Sequence, residues 1–276
     1  MSFGTISLND GTTAPSPAFG TGTALKGRDA KEQVLQALQN GQRHLDCAQF
    51  YGNEGSVGEA IAASGLPRSS LYITTKYATG DISTSLRTSL QLLQVDYVDL
   101  YLLHSVKFAE VHGLSRSWEV MESLQRDGLT RSIGVSNYRV GDLEILGHTA
   151  HTMPAVNQVE FHPFVYNQAT KLQQYCHDHG IALASYAGLA PLTKTRHGDF
   201  DAVVKRLASK YAITEHAVLY NWLRKHGVLV VTTSSKKERL EEMHWLAREI
   251  SHEDSAELDR VGSQYHHRYY MSFMDE

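Results

Sequence analysis

Short apolar runs alternate with amphipathic stretches along nearly the whole chain. The runs predict strands at Thr5–Leu8, Thr13–Ser16, Pro17–Phe19, Arg43–Cys47, Leu71–Lys76, Tyr97–Leu103, Thr130–Val135, Ala155–Val159, Ile181–Ser185 and Val228–Val231. Between them, apolar residues recur at helical spacing, as in Ile82, Leu86, Leu90 and Leu93. Helices are expected over Asp29–Asn40, Glu54–Ala63, Ser83–Leu93, Ser115–Arg126, Val140–Leu146, Asn167–His179, Phe200–Lys210, Glu215–His226, Lys237–Glu249 and Asp254–Val261. Gly41 follows the first of these as a C-terminal stop. The first two strands face each other across Asn9-Asp10-Gly11, and Asp-Gly favours a tight hairpin turn.

The remaining strands and helices make eight successive units with no Pro- or Gly-rich linker. That pattern predicts one domain over residues 1–276, an α/β (β/α)8 TIM barrel with an N-terminal β-hairpin and a short C-terminal tail. The competing doubly wound sheet opens with G-x-G-x-x-G after its first strand. Here Phe19-Gly20-Thr21-Gly22-Thr23 lacks the third glycine.

Composition narrows the functional classes. The 26 basic and 30 acidic residues give a net charge of −4, which leaves no electrostatic footprint for nucleic acid or an anionic membrane. No apolar run approaches the roughly 20 residues of a membrane span. The first residues lack a basic segment followed by an apolar block. Two cysteines, Cys47 and Cys176, cannot build a disulfide framework and fit a reducing, cytoplasmic setting. The 15 histidines show no H-E-x-x-H or Cys/His cluster, so no metal is expected.

In such a barrel the reactive rim lies where strands end. Asp46 and Tyr51 follow one strand, Lys76 ends the next and His104 the one after. Taken singly, a strand-end Asp is usually a cap, a strand-end Lys is usually solvated, and a His after Leu-Leu is usually a core residue. Together they bring a carboxylate, a phenol, an ammonium and an imidazole to one rim.

The segments HLDCAQFYGNE, TTKY, QVDYVDLYLLH, GVSNY and VNQVEFHP resemble the aldo-keto reductase superfamily from Gly20 to Glu242. The stretches GLAPL and VTTSSKKERLEE are most similar to its fungal conjugated-polyketone and ketopantoyl-lactone reductases. The resemblance implies a carbonyl reductase using NADPH, with NADH admissible, acting on a small-molecule carbonyl substrate as a monomer. It implies Tyr51 as proton donor, Lys76 lowering its pKa, Asp46 holding Lys76, and His104 orienting the substrate oxygen.

For the cofactor it implies Ser136, Asn137 and Gln158 on the nicotinamide amide, although Ser136 and Asn137 equally suit a helix cap. Tyr186 is implied under the ring, Thr21, Gly22 and Thr23 along the cofactor, and Leu189 and Ala190 over the pyrophosphate. At the adenine end Thr233 stands where the family often has lysine, followed by Ser234, Ser235, Lys236, Arg239 and Glu242. Met243 replaces a common asparagine, and Lys236-Lys237 equally reads as a solvated pair. For the substrate pocket it implies Ala24, Ala78 and Ser105, small where the family often has rings, with Phe50, Tyr77 and Phe161 compensating in part. The expected pocket is therefore open, unless neighbouring loops refill it. Two alternatives remain at this point: a cofactor-holding regulatory subunit, and a barrel hydrolase or isomerase.

Overall fold

A computed structural model describes residues 4–234 and 249–275. Strands β1 (Thr5–Ser7) and β2 (Thr13–Pro15) pair antiparallel, with Thr5 opposite Pro15. Eight parallel strands then close a barrel. They are β3 (Ala18–Gly20), β4 (His44–Asp46), β5 (Tyr72–Tyr77), β6 (Val98–Leu103), β7 (Thr130–Ser136), β8 (Val156–Glu160), β9 (Ala182–Tyr186) and β10 (Leu229–Thr232). Each pairs with its neighbour in the chain, and β10 returns to β3 with Thr232 opposite Phe19.

The period of two sorts the strand side chains onto two surfaces. Ala18, Tyr72, Leu100, Leu102, Val156, Ala184 and Leu229 form one buried cluster, the barrel interior. Phe19, Leu45, Ile73, Tyr77, Tyr101, Ile133 and Val159 belong to a second cluster, under the helices. Leu8 and Ala14 of the hairpin join the interior cluster. Asn9 donates to Pro154 O at 3.0 Å, beside the start of β8, so the hairpin stops the end of the barrel opposite the strand C-termini.

The helices match their sequence signals closely. In α1 (Lys31–Gln39), Gly41 N–H bonds Leu38 O and Gln42 N–H bonds Ala37 O, with Gly41 at φ 86°. That paired arrangement satisfies two helix-end carbonyls. After α2 (Glu54–Ser64) comes α3 (Ile82–Leu93), which buries Ile82, Leu86, Leu90 and Leu93. It starts where the Asp81 side chain accepts the Thr84 N–H at 2.8 Å. Each buried leucine contributes roughly 1.5–3 kcal/mol.

The chain between β6 and α5 (Leu114–Arg126) holds a short α4 (Val106–Ala109), and α8 (Ala190–Thr193) follows β9. Neither was expected, because four residues carry no periodicity. The remaining helices are α6 (Val140–Gly147), α7 (Tyr166–Asp178), α9 (Gly198–Tyr211), α10 (Glu215–Lys225) and α11 (His252–Gly262). The helix expected over Lys237–Glu249 lies outside the described residues except for Glu249, which is not helical.

Candidate active site

Strand direction places Asp46, Lys76 and Gln158 at the same end of the barrel, their side chains turned inward. Lys76 is fully buried. Its Nζ donates to Asp46 Oδ1 at 2.5 Å, to Cys47 O at 2.9 Å and to the Tyr51 hydroxyl at 3.4 Å. Gln158 Nε2 donates to the other Asp46 oxygen at 2.8 Å. An ammonium without water is tolerable here because each of its three protons has an acceptor.

Tyr51 ends a 3-10 turn, Gln49–Tyr51. Gln49 fixes this turn against the loop after β5: its Oε1 accepts the Ala78 N–H at 2.8 Å and the Thr79 N–H at 3.1 Å. The other side is held by Asn53, whose Nδ2 donates to Thr21 O and Leu25 O. Gly22 lies against the Tyr51 ring so closely that a Cβ there would stand 2.7 Å from Cζ. Thr21 bonds Asp46 O through its N–H at 2.9 Å, and Thr23 and Ala24 are exposed beyond it.

Burial pushes the Tyr51 phenol up, and Lys76 offsets this only in part. The net shift is thus opposite to the lowering expected from Lys76 alone, because a phenolate here loses its water and also meets Asp46. The Lys76 ammonium is pulled down by burial but pushed up by Asp46 and Tyr51, and ends raised. His104, just past β6, falls to about 3 through burial first and then the Lys76 and Lys26 charges. It is a neutral imidazole with a buried Nδ1 that has no hydrogen-bond partner. The Tyr51 and His104 rings meet edge to face at 5.6 Å.

Beside this tetrad runs a polar chain. Ser136 Oγ donates to Gln158 O at 2.7 Å, and Asn137 Nδ2 donates to His104 O and Ser136 Oγ, each at 3.0 Å. Tyr186 OH donates to Asn137 Oδ1 at 2.7 Å. Asn137 holds a left-handed φ of 59°, and the helix after it is capped from Arg139 and Asp142 rather than from Ser136 or Asn137. Those two side chains therefore serve the rim. Leu189 and Ala190 begin α8. Thr233 Oγ1 donates to Gly20 O at 2.6 Å and Ser234 is buried. Ser235, Lys236, Arg239 and Glu242 lie outside the described residues.

The pocket expectations need two corrections. Tyr77 faces outward under the helices, its hydroxyl donating to Gly80 O at 2.8 Å, because it is one residue out of phase with inward Lys76. Phe161 stacks on Trp222 at 5.4 Å, likewise outside the lumen. Ser105 caps α4 by accepting the Lys107 N–H. Ala78 is buried behind the Gln49 clamp. Phe50 does stand at the mouth, 49% exposed, with its ring 5.9 Å from His104.

Phe108 on α4 adds a ring 6.2 Å from His104, and Tyr270 of the tail adds one 5.9 Å from Tyr186. The tail is held by buried Glu160, which accepts the backbone N–H groups of Tyr269 and Tyr270 at 2.9 and 2.8 Å and bonds His162 at 3.0 Å. Gln49, Phe108 and Glu160 were not singled out in the sequence, and Tyr270 stood out only as the end of an aromatic tail, which like the segment from His104 to Trp118 reads as too brief to cover the site. For Glu160 the signal was present, a carboxylate at a predicted strand end inside VNQVEFHP.

The chain matches the aldo/keto reductase family over residues 1–263. It belongs to that family. It is 41% identical over 278 residues to the NAD/NADP-dependent indole-3-acetaldehyde reductase of Schizosaccharomyces pombe, covering 96% of this chain and 98% of that one. It is 37% identical over 258 residues to the NADPH-dependent alpha-keto amide reductase of Saccharomyces cerevisiae, covering 85% and 83%. Among solved structures, the aldo-keto reductase of Bombyx mori in complex with NADP superposes with a TM-score of 0.84 at 29% identity, covering 94% and 93%. These relatives are described as reductases, which gives the regulatory-subunit alternative no support.

Proposed function

We propose that this aldo-keto reductase is an NADPH-dependent carbonyl reductase in which Tyr51 delivers the proton. The observation that carries this reading is the buried Lys76 ammonium, bonded at once to the Asp46 carboxylate and the Tyr51 phenol. The rim suits a nicotinamide cofactor: an unbroken amide and hydroxyl chain from Gln158 to Tyr186, an aromatic face, and an unpartnered imidazole nitrogen. When bound, NADPH supplies the hydride.

The protein supplies the rest. As charge gathers on the substrate oxygen, His104, neutral at physiological pH, offers an N–H to it. Tyr51 keeps its proton until that oxygen is basic enough to take it. Lys76 then faces the new phenolate, and Asp46 with Gln158 holds Lys76 in place. Ser136, Asn137 and Gln158 would hold the nicotinamide amide, Tyr186 its ring, Thr21 to Thr23 the length of the cofactor, and Leu189 and Ala190 the pyrophosphate. At the adenosine end Thr233 to Lys236 and Arg239 would face the 2′-phosphate and Glu242 the adenine amino group, and NADH, which lacks that phosphate, would bind more weakly.

Substrates are ketones, dicarbonyls and bulky aldehydes that fit between Phe50, Phe108 and Tyr270 beside small Ala24. The chain works as a one-domain cytoplasmic monomer. The two buried free cysteines fit a reducing compartment, and among the described residues no helix is long and apolar enough to cross a membrane. Tyr51→Phe tests the mechanism: kcat should fall about 10²–10⁴-fold with NADPH binding retained by fluorescence titration. Retention of most of kcat would overturn the assignment.

A further inference from the structure

Lys26 is a cation at the rim that the mechanism does not use, and a role for it depends on the reductase reading. Its Nζ lies 3.5 Å from the centre of the Phe50 ring. The same ring meets His104 at 5.9 Å and Phe108 at 6.1 Å. One phenyl ring therefore separates an ammonium from the imidazole beside the proton donor.

The position is held by the backbone. Leu25 O accepts a hydrogen bond from Asn53 Nδ2 at 2.9 Å, just after the catalytic turn, and Gly27 N–H bonds Tyr51 O at 2.7 Å, so the loop carrying Lys26 is held on both sides of that residue. Lys31 pairs with Glu59 at 3.0 Å and Lys76 with Asp46, while the Asp29 carboxylate accepts the Lys31 backbone N–H at 2.9 Å. Lys26 itself makes no ion pair with a carboxylate among the described residues. Its charge is felt inside the site, since it helps hold His104 neutral. An ammonium resting on an aromatic face still has donors to offer.

We propose that Lys26, with Phe50 and Phe108, forms an anion subsite that selects carbonyl substrates bearing a carboxylate about one aromatic ring's width from the C=O. The apolar body of the substrate lies along the two phenyl rings, the carbonyl reaches Tyr51 and His104, and the carboxylate meets Lys26.

The test compares two aldehydes of one frame, 4-carboxybenzaldehyde and methyl 4-formylbenzoate, with NADPH. Lys26→Met should raise KM for the acid about fivefold more than KM for the ester, the scale of one partly exposed ion pair. Lys26→Arg should restore the difference, and added salt should shrink it in the unaltered protein. An equal change for both aldehydes would overturn the proposal. A change confined to the KM for NADPH would also overturn it, by assigning Lys26 to the cofactor. Failure of the unaltered protein to oxidise NADPH with either aldehyde would instead overturn the reductase reading.

Discussion

Replacing Lys76 by methionine separates the site's structural cost from its chemistry. Methionine fills similar volume but removes three donated hydrogen bonds, to Asp46, Cys47 and Tyr51. The Asp46 carboxylate, itself buried, then keeps only the Gln158 amide. Breaking a buried ion pair from one side costs about 3–5 kcal/mol, most of it the stranded charge. The urea midpoint should drop accordingly, and kcat should fall about 10²–10⁴-fold as Tyr51 loses the cation that faces its phenolate.

The double variant Asp46→Asn/Lys76→Met discriminates further. It removes both charges, so most of the lost stability should return while activity stays low. Equilibrium urea unfolding followed by far-UV circular dichroism gives the stabilities, and NADPH absorbance gives the rates. A single variant within about 1 kcal/mol of the parent would refute the buried-pair reasoning. So would a double variant no more stable than the single one.

Three more outcomes are expected from the geometry. Gly22→Ala should cost roughly 10²-fold in kcat with the fold intact, because its Cβ, 2.7 Å from Tyr51 Cζ, displaces the proton donor; an unchanged rate would show that the ring can yield. Burial lowers the pKa of His44, His104 and His162, so below the ordinary pH of about 6.5 the unfolded chain binds protons that the native state refuses. Stability should therefore fall as pH drops from 6.5 toward 4.5, by about 1.4 kcal/mol per unit for each histidine still neutral, and a urea midpoint flat over that range would contradict it. Arg239→Ala should raise the KM for NADPH far more than that for NADH, and equal effects would place Arg239 away from the 2′-phosphate.

The sequence revealed the barrel because β and α periods alternate without a break, and most element ends moved by only one or two residues. Those small shifts still mattered to side-chain direction. Tyr77 follows Lys76, and the alternation that turns one inward turns the other out. Phe161 sits one place past Glu160 and packs on Trp222 for a similar reason. The tetrad was readable because four reactive side chains follow successive strands. Phe108 and Tyr270 were not: one rides a single helical turn, and the other arrives from a tail more than a hundred residues beyond Glu160. No local pattern encodes either meeting.

The return of β10 to β3 has a consequence for how the molecule is made. Every other seam joins strands that are neighbours in the chain, so each can form soon after its second strand leaves the ribosome. The last seam cannot, since Ala18 must wait for Val231. Until then the nascent sheet is open, with an unpaired edge on each side, a state in which strands pair readily with other chains. Thr233 and Gly20 join at this same seam. The seam that joins Thr233 to Gly20 is thus the last part of the barrel to exist, and a chain that stops short of β10 has the tetrad residues but no closed barrel.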